Sequence, residues 1–392
     1  MTAAFCRISL HASAGMLFLA TAAASTQSTA RVFPGTVWQE RTPEQAGLNR
    51  NKLDALRDRL SGKGGDRQGG CVIKDGFFIY SWGAFDQRHN WASASKPGLS
   101  TMLFAAIAEG KVKGTDSSLY PYWPGLRPID RTMTFRHLAD MMSGYACADK
   151  DAEGKPLPPG SRWAYNDYAI MLYARTLDKV FGGDGGMTSS VLTSLVAAAH
   201  ERFTAPLQFQ DTELFEKNKG RLVASPRDFA RLGWLWLNQG NWNGKTVLPR
   251  SFFEQNVRAD VALNTPKTAT TLKPPFDDYL GVKSYGGGID QGDGQGIYGF
   301  NWWYNRVLTV PSRNPPLLTW PAAPSDLFMA LGRAGKDGMV ILPSLGLVVA
   351  AYNDATPTWG DAIITEPPDP SDVMNQNLKL LVEAVASDQP HP

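Results

Sequence analysis

Hydrophobic residues recur along this chain with two different periods, and the changes of period divide it. Cys71-Val72-Ile73 and Phe77-Phe78-Ile79-Tyr80 are apolar runs of strand length on either side of Lys74-Asp75-Gly76, which predicts a β-hairpin with a glycine in its turn. Ahead of it, Thr42-Pro43-Glu44-Gln45 reads as a helix start, and Leu53, Leu56 and Leu60 follow as an apolar face. From Ser93 the period turns helical: Leu99, Met102, Leu103, Ala106 and Ile107 share one face, and Gly110 stops it. Thr134 is placed to cap a short helix carrying Phe135, Leu138, Met141 and Met142, ended by Gly144. Another helix follows Asp167, a good N-cap residue, with Ile170, Tyr173, Ala174, Leu177 and Val180 inward. Pro226 to Leu237 reads as one more. Residues 260–325 keep no steady period and are rich in glycine, proline and aromatics, including Gly286-Gly287-Gly288 and Trp302-Trp303. After them Met339–Leu342 and Leu347–Ala351 read as paired strands, and an amphipathic helix through Val373, Leu378, Leu381 and Val385 closes the chain. No internal repeat is evident. The pattern predicts an α+β lobe made from both ends, roughly 40–90 and 298–392, with a mainly helical lobe, roughly 91–297, inserted between them.

Composition narrows the class. The chain has 392 residues, 43% hydrophobic, 19% charged and 11% aromatic, enough for a large core. Lys plus Arg number 39 and Asp plus Glu 37, a formal net charge of +2 with no basic run. Such a balance gives no footprint for nucleic acid and no polybasic membrane patch. The 38 Gly and 27 Pro mark a loop-rich protein, while 12 Trp and 18 Phe spread along it argue against disorder. A collagen, a coiled coil, a disulfide miniprotein and a polytopic membrane protein are excluded. Residues 1–24 read as a secretory signal: Arg7 is the charge, Ala14-Gly15-Met16-Leu17-Phe18-Leu19-Ala20 the apolar stretch and Ala22-Ala23-Ala24 the cleavage site. That implies a secreted or periplasmic protein whose mature chain, 25–392, is a single domain. Of the cysteines that remain, Cys71 falls in a strand and Cys147 in a loop, and they read as two ordinary thiols, although an oxidising compartment would permit a bridge. No metal-ligand spacing occurs, so no cofactor or metal is expected.

Three short motifs carry candidate chemistry. Ser93-Ala94-Ser95-Lys96 is the one S-x-x-K in the chain, at the change from strand-rich to helical sequence. On a helix the i and i+3 side chains share a face, so Lys96 can reach the Ser93 hydroxyl. A serine needs a base before it is a useful nucleophile, and a lysine serves if burial disfavours its ammonium. Tyr165-Asn166-Asp167, just before a helix, offers a phenol that can relay the proton to a leaving group. Tyr352-Asn353-Asp354 has the same letters, but strand exit and turn chemistry account for it. Gly332-Arg333-Ala334-Gly335-Lys336 enters the strand at Met339, and its small residues let backbone N–H groups approach a substrate. No G-x-S-x-G is present. Gly240-Asn241-Trp242-Asn243-Gly244-Lys245-Thr246 is one residue short of a P-loop, with Pro249 where a helix should begin. His89, four residues before Ser93, reads as a packing or solvated histidine and not as a triad base.

Together the three motifs resemble the serine β-lactamase and penicillin-binding-protein superfamily, whose marks are S-x-x-K, a Tyr- or Ser-led triplet and K-T-G. The chain is most similar to the class C β-lactamase-like branch, with its esterases, D-stereospecific peptidases and 6-aminohexanoate-dimer hydrolase. Thr134-Phe135-Arg136-His137-Leu138 through Gly144, and Gly220-Arg221-Leu222-Val223-Ala224-Ser225-Pro226-Arg227-Asp228, also look like this branch, and the likeness spans roughly residues 45–385. The resemblance implies a DD-peptidase/β-lactamase-like α+β fold, with an antiparallel sheet flanked by terminal helices and an inserted helical lobe. It makes Ser93 the acyl-forming nucleophile, Lys96 its base partner and Tyr165 the second acid/base. The Ser93 and Lys336 backbone N–H groups would form the oxyanion hole, and Asp167, Arg333 and Gly335 would touch substrate. Asp167 stands where the family has Asn, Arg333 where it has Lys or His, and Ala334 replaces a hydroxyl residue. An arginine can still grip a substrate carboxylate bidentately. The lost donors disfavour lactams, so the expected activity is hydrolysis of a small-molecule ester or small amide. The alternatives are a silent protein that binds a peptide or cell-wall-like ligand, or a true β-lactamase.

Overall fold

A computed structural model of the chain describes residues 1 and 31–385, except 63, 148, 212, 269–273, 291–293, 309–316 and 361–371. The signal expected over residues 1–24 lies, apart from Met1, outside these. Seven strands form one antiparallel sheet: β1 (Gln68–Lys74), β2 (Phe77–Gly83), β3 (Tyr298–Gly299), β4 (Trp302–Tyr304), β5 (Phe328–Gly332), β6 (Asp337–Leu342) and β7 (Leu347–Asn353). Their spatial order is β3-β4-β5-β6-β7-β1-β2. The hairpin between β1 and β2 turns at Asp75 and Gly76, both with positive φ, the geometry that suits the twist of a tight hairpin. Every residue of β6 and β7 is buried, so these strands read as continuous apolar runs and not as alternating ones.

Register assigns the two faces. Tyr80, Val72, Val349 and Val340 lie across from one another on one face, and Met339 with Ala350 on the other. The first face is covered by α1 (Arg50–Ser61), whose Asp54 accepts a hydrogen bond from the Tyr80 hydroxyl. The chain enters it through a short 3-10 turn at Glu44–Ala46, and Asn49 caps it by accepting from the Lys52 N–H at 3.3 Å. The helix therefore starts later than Thr42-Pro43 suggests. Leu53, Leu56 and Leu60 are buried as the period requires. Among the other helices are α2 (Lys96–Ala108), α3 (Phe135–Ala139), α4 (Asp167–Val180), α5 (Pro226–Leu237) and α6 (Val373–Val385). The α6 helix packs on α1. The α5 helix covers the second face, where Gly233 lets its backbone approach the side chains of Met339 and Val348.

Between β2 and β3 the chain is mostly helix and loop, and α4 packs on both α2 and α3. Thr134 caps α3 as expected, but the helix ends at Ala139, because Met141 takes a left-handed backbone. Cys71 is buried, Cys147 half-buried, and both are free thiols. Among the described residues no helix is long and apolar enough to cross a membrane.

Candidate active site

Ser93 does not begin an α-helix. It lies in a 3-10 turn, Ala92–Ser95, that leads into α2 at Lys96. The turn is held from below by Trp91, whose ring stacks on Phe229 and whose indole N–H donates to the Ala224 carbonyl at 2.9 Å. Ala92 has positive φ, and its N–H donates to the Asn90 side chain at 2.9 Å. Pro97 falls in the first helical turn, where its missing N–H costs nothing. Ser93 is half-buried and Lys96 is 1% exposed.

Three oxygens surround the Lys96 Nζ, each at 2.7 Å: Ser93 Oγ, Tyr165 Oη and Asp167 Oδ1. Tyr165 arrives on a short strand, Tyr165–Asn166, paired with Ile289–Asp290. Its ring lies nearly parallel to Trp303, 6.2 Å between centroids, and edge-on to Tyr298 at 6.3 Å. Asn166, and not Asp167, caps α4: its Oδ1 accepts from the N–H groups of Tyr168 and Ala169, both at 3.0 Å. Its amide donates to the Tyr145 carbonyl at 2.6 Å. Asp167 is thereby the first helical residue, and its carboxylate is left to face Lys96. The glycine triplet explains itself here. The Asp167 N–H donates to the Gly288 carbonyl at 3.0 Å, and a Cβ on Gly287 would sit 2.5 Å from the Asp167 Oδ2.

This arrangement changes what Lys96 can do. Burial alone would pull its ammonium down, which is the condition for a lysine base. The Asp167 carboxylate and the Tyr165 hydroxyl outweigh burial, and the ammonium is held above the ordinary lysine value. Lys96 is thus buried, ion-paired with the Asp167 carboxylate and hydrogen-bonded to the Ser93 and Tyr165 oxygens.

The third motif lies at the end of β5, beside the Ser93 turn. A Cβ on Gly332 would stand 2.8 Å from the Trp91 carbonyl oxygen and 2.9 Å from the Ala94 nitrogen, so only glycine lets the strand pass so close. The residues after it do not take the parts expected of them. Arg333 is committed: Nε donates to Asp337 and Nη1 to Asp354, both at 2.6 Å, and Nη2 reaches Asp337 at 2.5 Å and His89 at 2.8 Å. Each of its three nitrogens is thus engaged with this chain's own groups, and one Nη1 N–H remains. The Lys336 N–H donates back to the Arg333 carbonyl at 3.3 Å, and its ammonium donates to the Asp354 carbonyl at 3.0 Å. It is not placed as an oxyanion donor. Gly335 is buried with positive φ, and its carbonyl accepts from the Trp359 N–H at 2.9 Å, so it supports the turn and does not face substrate. The N–H groups of Ser93 and Arg333 donate to no group among the described residues.

His89 lies in this same cluster, its Nε2 2.7 Å from Asp337 and its ring stacked on Tyr352 at 3.6 Å. That disposes of it as a base for Ser93. Two further contributors carry no motif. Tyr285 has its ring 5.7 Å from the Lys96 Nζ, and Arg221 lies 4.3 Å from the same ring while donating to the Tyr285 carbonyl. Only the odd triplet Gly286-Gly287-Gly288 hints from sequence that this stretch folds tightly over something. Trp303 and Tyr298, which position Tyr165, lie more than 130 residues from it and give no local signal.

Among curated proteins, none matches the chain. Many solved structures share its fold, and three of them, all at low identity, illustrate the range. A Bacillus anthracis protein assigned as a 6-aminohexanoate-dimer hydrolase aligns over 91% of this chain and 89% of its own, with 18% identity and a TM-score of 0.55. A penicillin-binding-protein homologue from Caulobacter crescentus covers 86% of this chain and 98% of its own, with 12% identity and a TM-score of 0.53. EstCE1, a hydrolase with promiscuous acyltransferase activity, covers 88% and 99%, with 13% identity and a TM-score of 0.54. The family model described as Beta-lactamase matches residues 63–308, a span that contains Ser93, Lys96, Tyr165 and Asp167. With more than half of its length matched by that model, this chain belongs to the Beta-lactamase family, whose members are generally serine hydrolases.

Proposed function

We propose that the protein is a secreted or periplasmic serine hydrolase that cleaves an ester or small amide through an acyl-enzyme on Ser93. The observation that carries this reading is the Lys96 ammonium, 2.7 Å from both Ser93 Oγ and Tyr165 Oη. A lysine held as its ammonium cannot accept the serine proton, so that part falls to Tyr165 Oη. Tyr165 takes this part as its phenolate, whose negative charge the Lys96 ammonium stabilises until the serine proton neutralises it. Ser93 Oγ attacks the acyl carbon, and its proton passes to Tyr165. The carbonyl oxygen becomes an oxyanion, which the Ser93 N–H, without an acceptor among the described residues, can receive. Collapse expels the alcohol or amine, which takes the proton back from Tyr165. Water enters by the same route in reverse order and releases the acid.

The test is the intact mass of the protein after exposure to a fluorophosphonate, beside a Ser93→Ala control. The expected result is a single adduct that is absent in the control. No adduct on folded protein would overturn the hydrolase reading and leave a binding protein. A screen of esters, amides and lactams on the unlabelled enzyme then assigns the bond class.

A further inference from the structure

One buried arginine touches the segments that fix both halves of the candidate site. On the side of the nucleophile, His89–Asn90, Leu214–Glu216 and Arg221–Ala224 form a small antiparallel sheet with Arg221–Ala224 in the middle. Glu216 and Arg221 stand opposite one another across it, with Glu216 Oε2 3.5 Å from Arg221 Nη1. The other Glu216 oxygen accepts from the Asn90 amide at 2.9 Å, and the Asn90 Oδ1 accepts from the Ala92 N–H at 2.9 Å. Ala92 has positive φ and immediately precedes Ser93, so this bond holds a strained backbone at the nucleophile. On the other side, Arg221 Nη2 donates to the Tyr285 carbonyl. The Tyr285 N–H donates to the Asp167 carbonyl, and the Asp167 N–H to the Gly288 carbonyl, both at 3.0 Å. Residues 285–288 thereby grip Asp167 by both of its backbone groups, and with it the carboxylate paired to Lys96. The segment runs between guanidinium and carboxylate: a Cβ on Gly286 would strike the Arg221 guanidinium, as one on Gly287 would crowd the Asp167 carboxylate.

From this span we infer that Arg221 is a positioning residue, a two-armed clamp that sets the Ser93 turn and the Lys96–Asp167 pair in register with each other. The inference rests on the hydrolase reading above. A planar guanidinium suits the part, because Nη1 faces the carboxylate while Nη2 holds the carbonyl, and an ammonium has no such fork. Arg221 is 8% exposed, and its Nε has no acceptor among the described residues. Desolvation of that kind offsets much of the attraction to Glu216, so the pair supplies geometry more than stability.

The experiment sets Arg221→Lys, Asn90→Ala and the double variant beside the wild-type protein, with p-nitrophenyl acetate as substrate. Competent sites are counted by the final extent of the Ser93 fluorophosphonate adduct in intact mass, and rates are taken per site, well below each thermal midpoint. Arg221→Lys should lower kcat and kcat/KM together by roughly 10- to 100-fold with KM nearly unchanged, because displaced catalytic groups weaken transition-state and not ground-state contacts. Asn90→Ala should act in the same way, and the double variant should fall little further than the worse single one, since both cut one span. A residue that only supports the fold would move the thermal midpoint and the number of competent sites and leave kcat per site unchanged. That result overturns the inference, as do losses that multiply in the double variant. If the acetate ester is not turned over, the maximal rate of Ser93 labelling and the fluorophosphonate concentration at half of it replace kcat and KM and decide in the same way. No adduct on folded wild-type protein overturns the hydrolase reading and this inference with it. A wild-type adduct that Arg221→Lys forms at the same rate overturns the inference alone.

Discussion

At the scale of single residues, the departure of Asp167 from the family's Asn sets the chemistry of its neighbours. An amide at this place would leave burial to pull the Lys96 ammonium down; a carboxylate holds it up. Asp167→Asn is therefore expected to move the alkaline limb of the kcat/KM profile toward neutral pH, by roughly one unit or more, because activity needs Lys96 protonated. A pH profile of the variant against the wild type checks this, and an unmoved limb would show that Lys96 protonation does not limit activity. Tyr165→Phe removes the oxygen that shares the Lys96 ammonium with Ser93 and that takes the Ser93 proton in the proposed mechanism. It should lower kcat by roughly 100-fold to 10,000-fold with an almost unchanged thermal midpoint, since Lys96 keeps its contacts to Ser93 and Asp167. Stopped-flow hydrolysis alongside thermal unfolding separates the two effects. The residues themselves are legible in the sequence; their charge states are not. Spacing puts Lys96 beside Ser93, but whether it is a base or a held cation depends on a carboxylate 71 positions away in the chain.

At the scale of elements, the site is an assembly of helix starts. Ser93 precedes α2 and Tyr165 precedes α4, and each start is fixed by a group that is not itself catalytic: Trp91 for the first, Asn166 for the second. Asn166→Ala would remove the cap of α4 and the tie to the Tyr145 carbonyl. The cap alone is worth about 1 kcal/mol, so urea unfolding should show a loss of at least that size. Because Asn166 lies between Tyr165 and Asp167, activity should fall by more than the stability loss explains, which kcat at a temperature well below unfolding would reveal. Elements with a strong local signal are readable from the sequence: the hairpin at Asp75-Gly76, the α5 helix behind its Ser225 cap, and the two buried strands β6 and β7. The cap of α4 is not, since both Asn166 and Asp167 are good caps and only the backbone decides which one holds the helix. The third motif is readable as a turn but not in its role. Arg333, Lys336 and Gly335 look outward in sequence, and the partners that draw them in, His89, Asp337, Asp354 and Gly360, are distant in the chain or alternate with them along it.

At the scale of the whole molecule, the helices that carry the nucleophile must be tied to the sheet edge that carries Trp303, the ring against which Tyr165 lies. That tie is the turn between β3 and β4. Phe300 and Asn301 both have positive φ there, and the strain is held by bonds from the helical side, among them the Asn301 N–H to the Ala139 carbonyl at 3.1 Å. The Phe300 N–H donates to the Asp140 Oδ1 at 2.8 Å, the Asn301 amide to the Ala139 carbonyl at 3.0 Å, and the Ser100 hydroxyl to the Asn301 Oδ1 at 2.9 Å. Asp140, just past α3, is buried, and burial pushes its carboxyl up to about 8, against the pull of the Phe300 N–H and with Asp260 adding in the same direction as burial. In the unfolded chain the same carboxyl titrates near ~4. Between those values the unfolded state has given up a proton that the folded state keeps, so stability through this group falls as pH rises, by at most about 1.4 kcal/mol per pH unit. Below ~4 both states hold the proton, and above about 8 both have lost it, so the dependence is confined to that window. Asp140→Asn keeps an oxygen for the Phe300 N–H and removes the titration. Urea midpoints of the variant and the wild type, taken at about pH 5 and about pH 8, should diverge with rising pH in favour of the variant. A constant difference across that range would show that Asp140 stays ionised in the fold, and that the tie between the helices and the Tyr165 side of the sheet is not sensitive to pH.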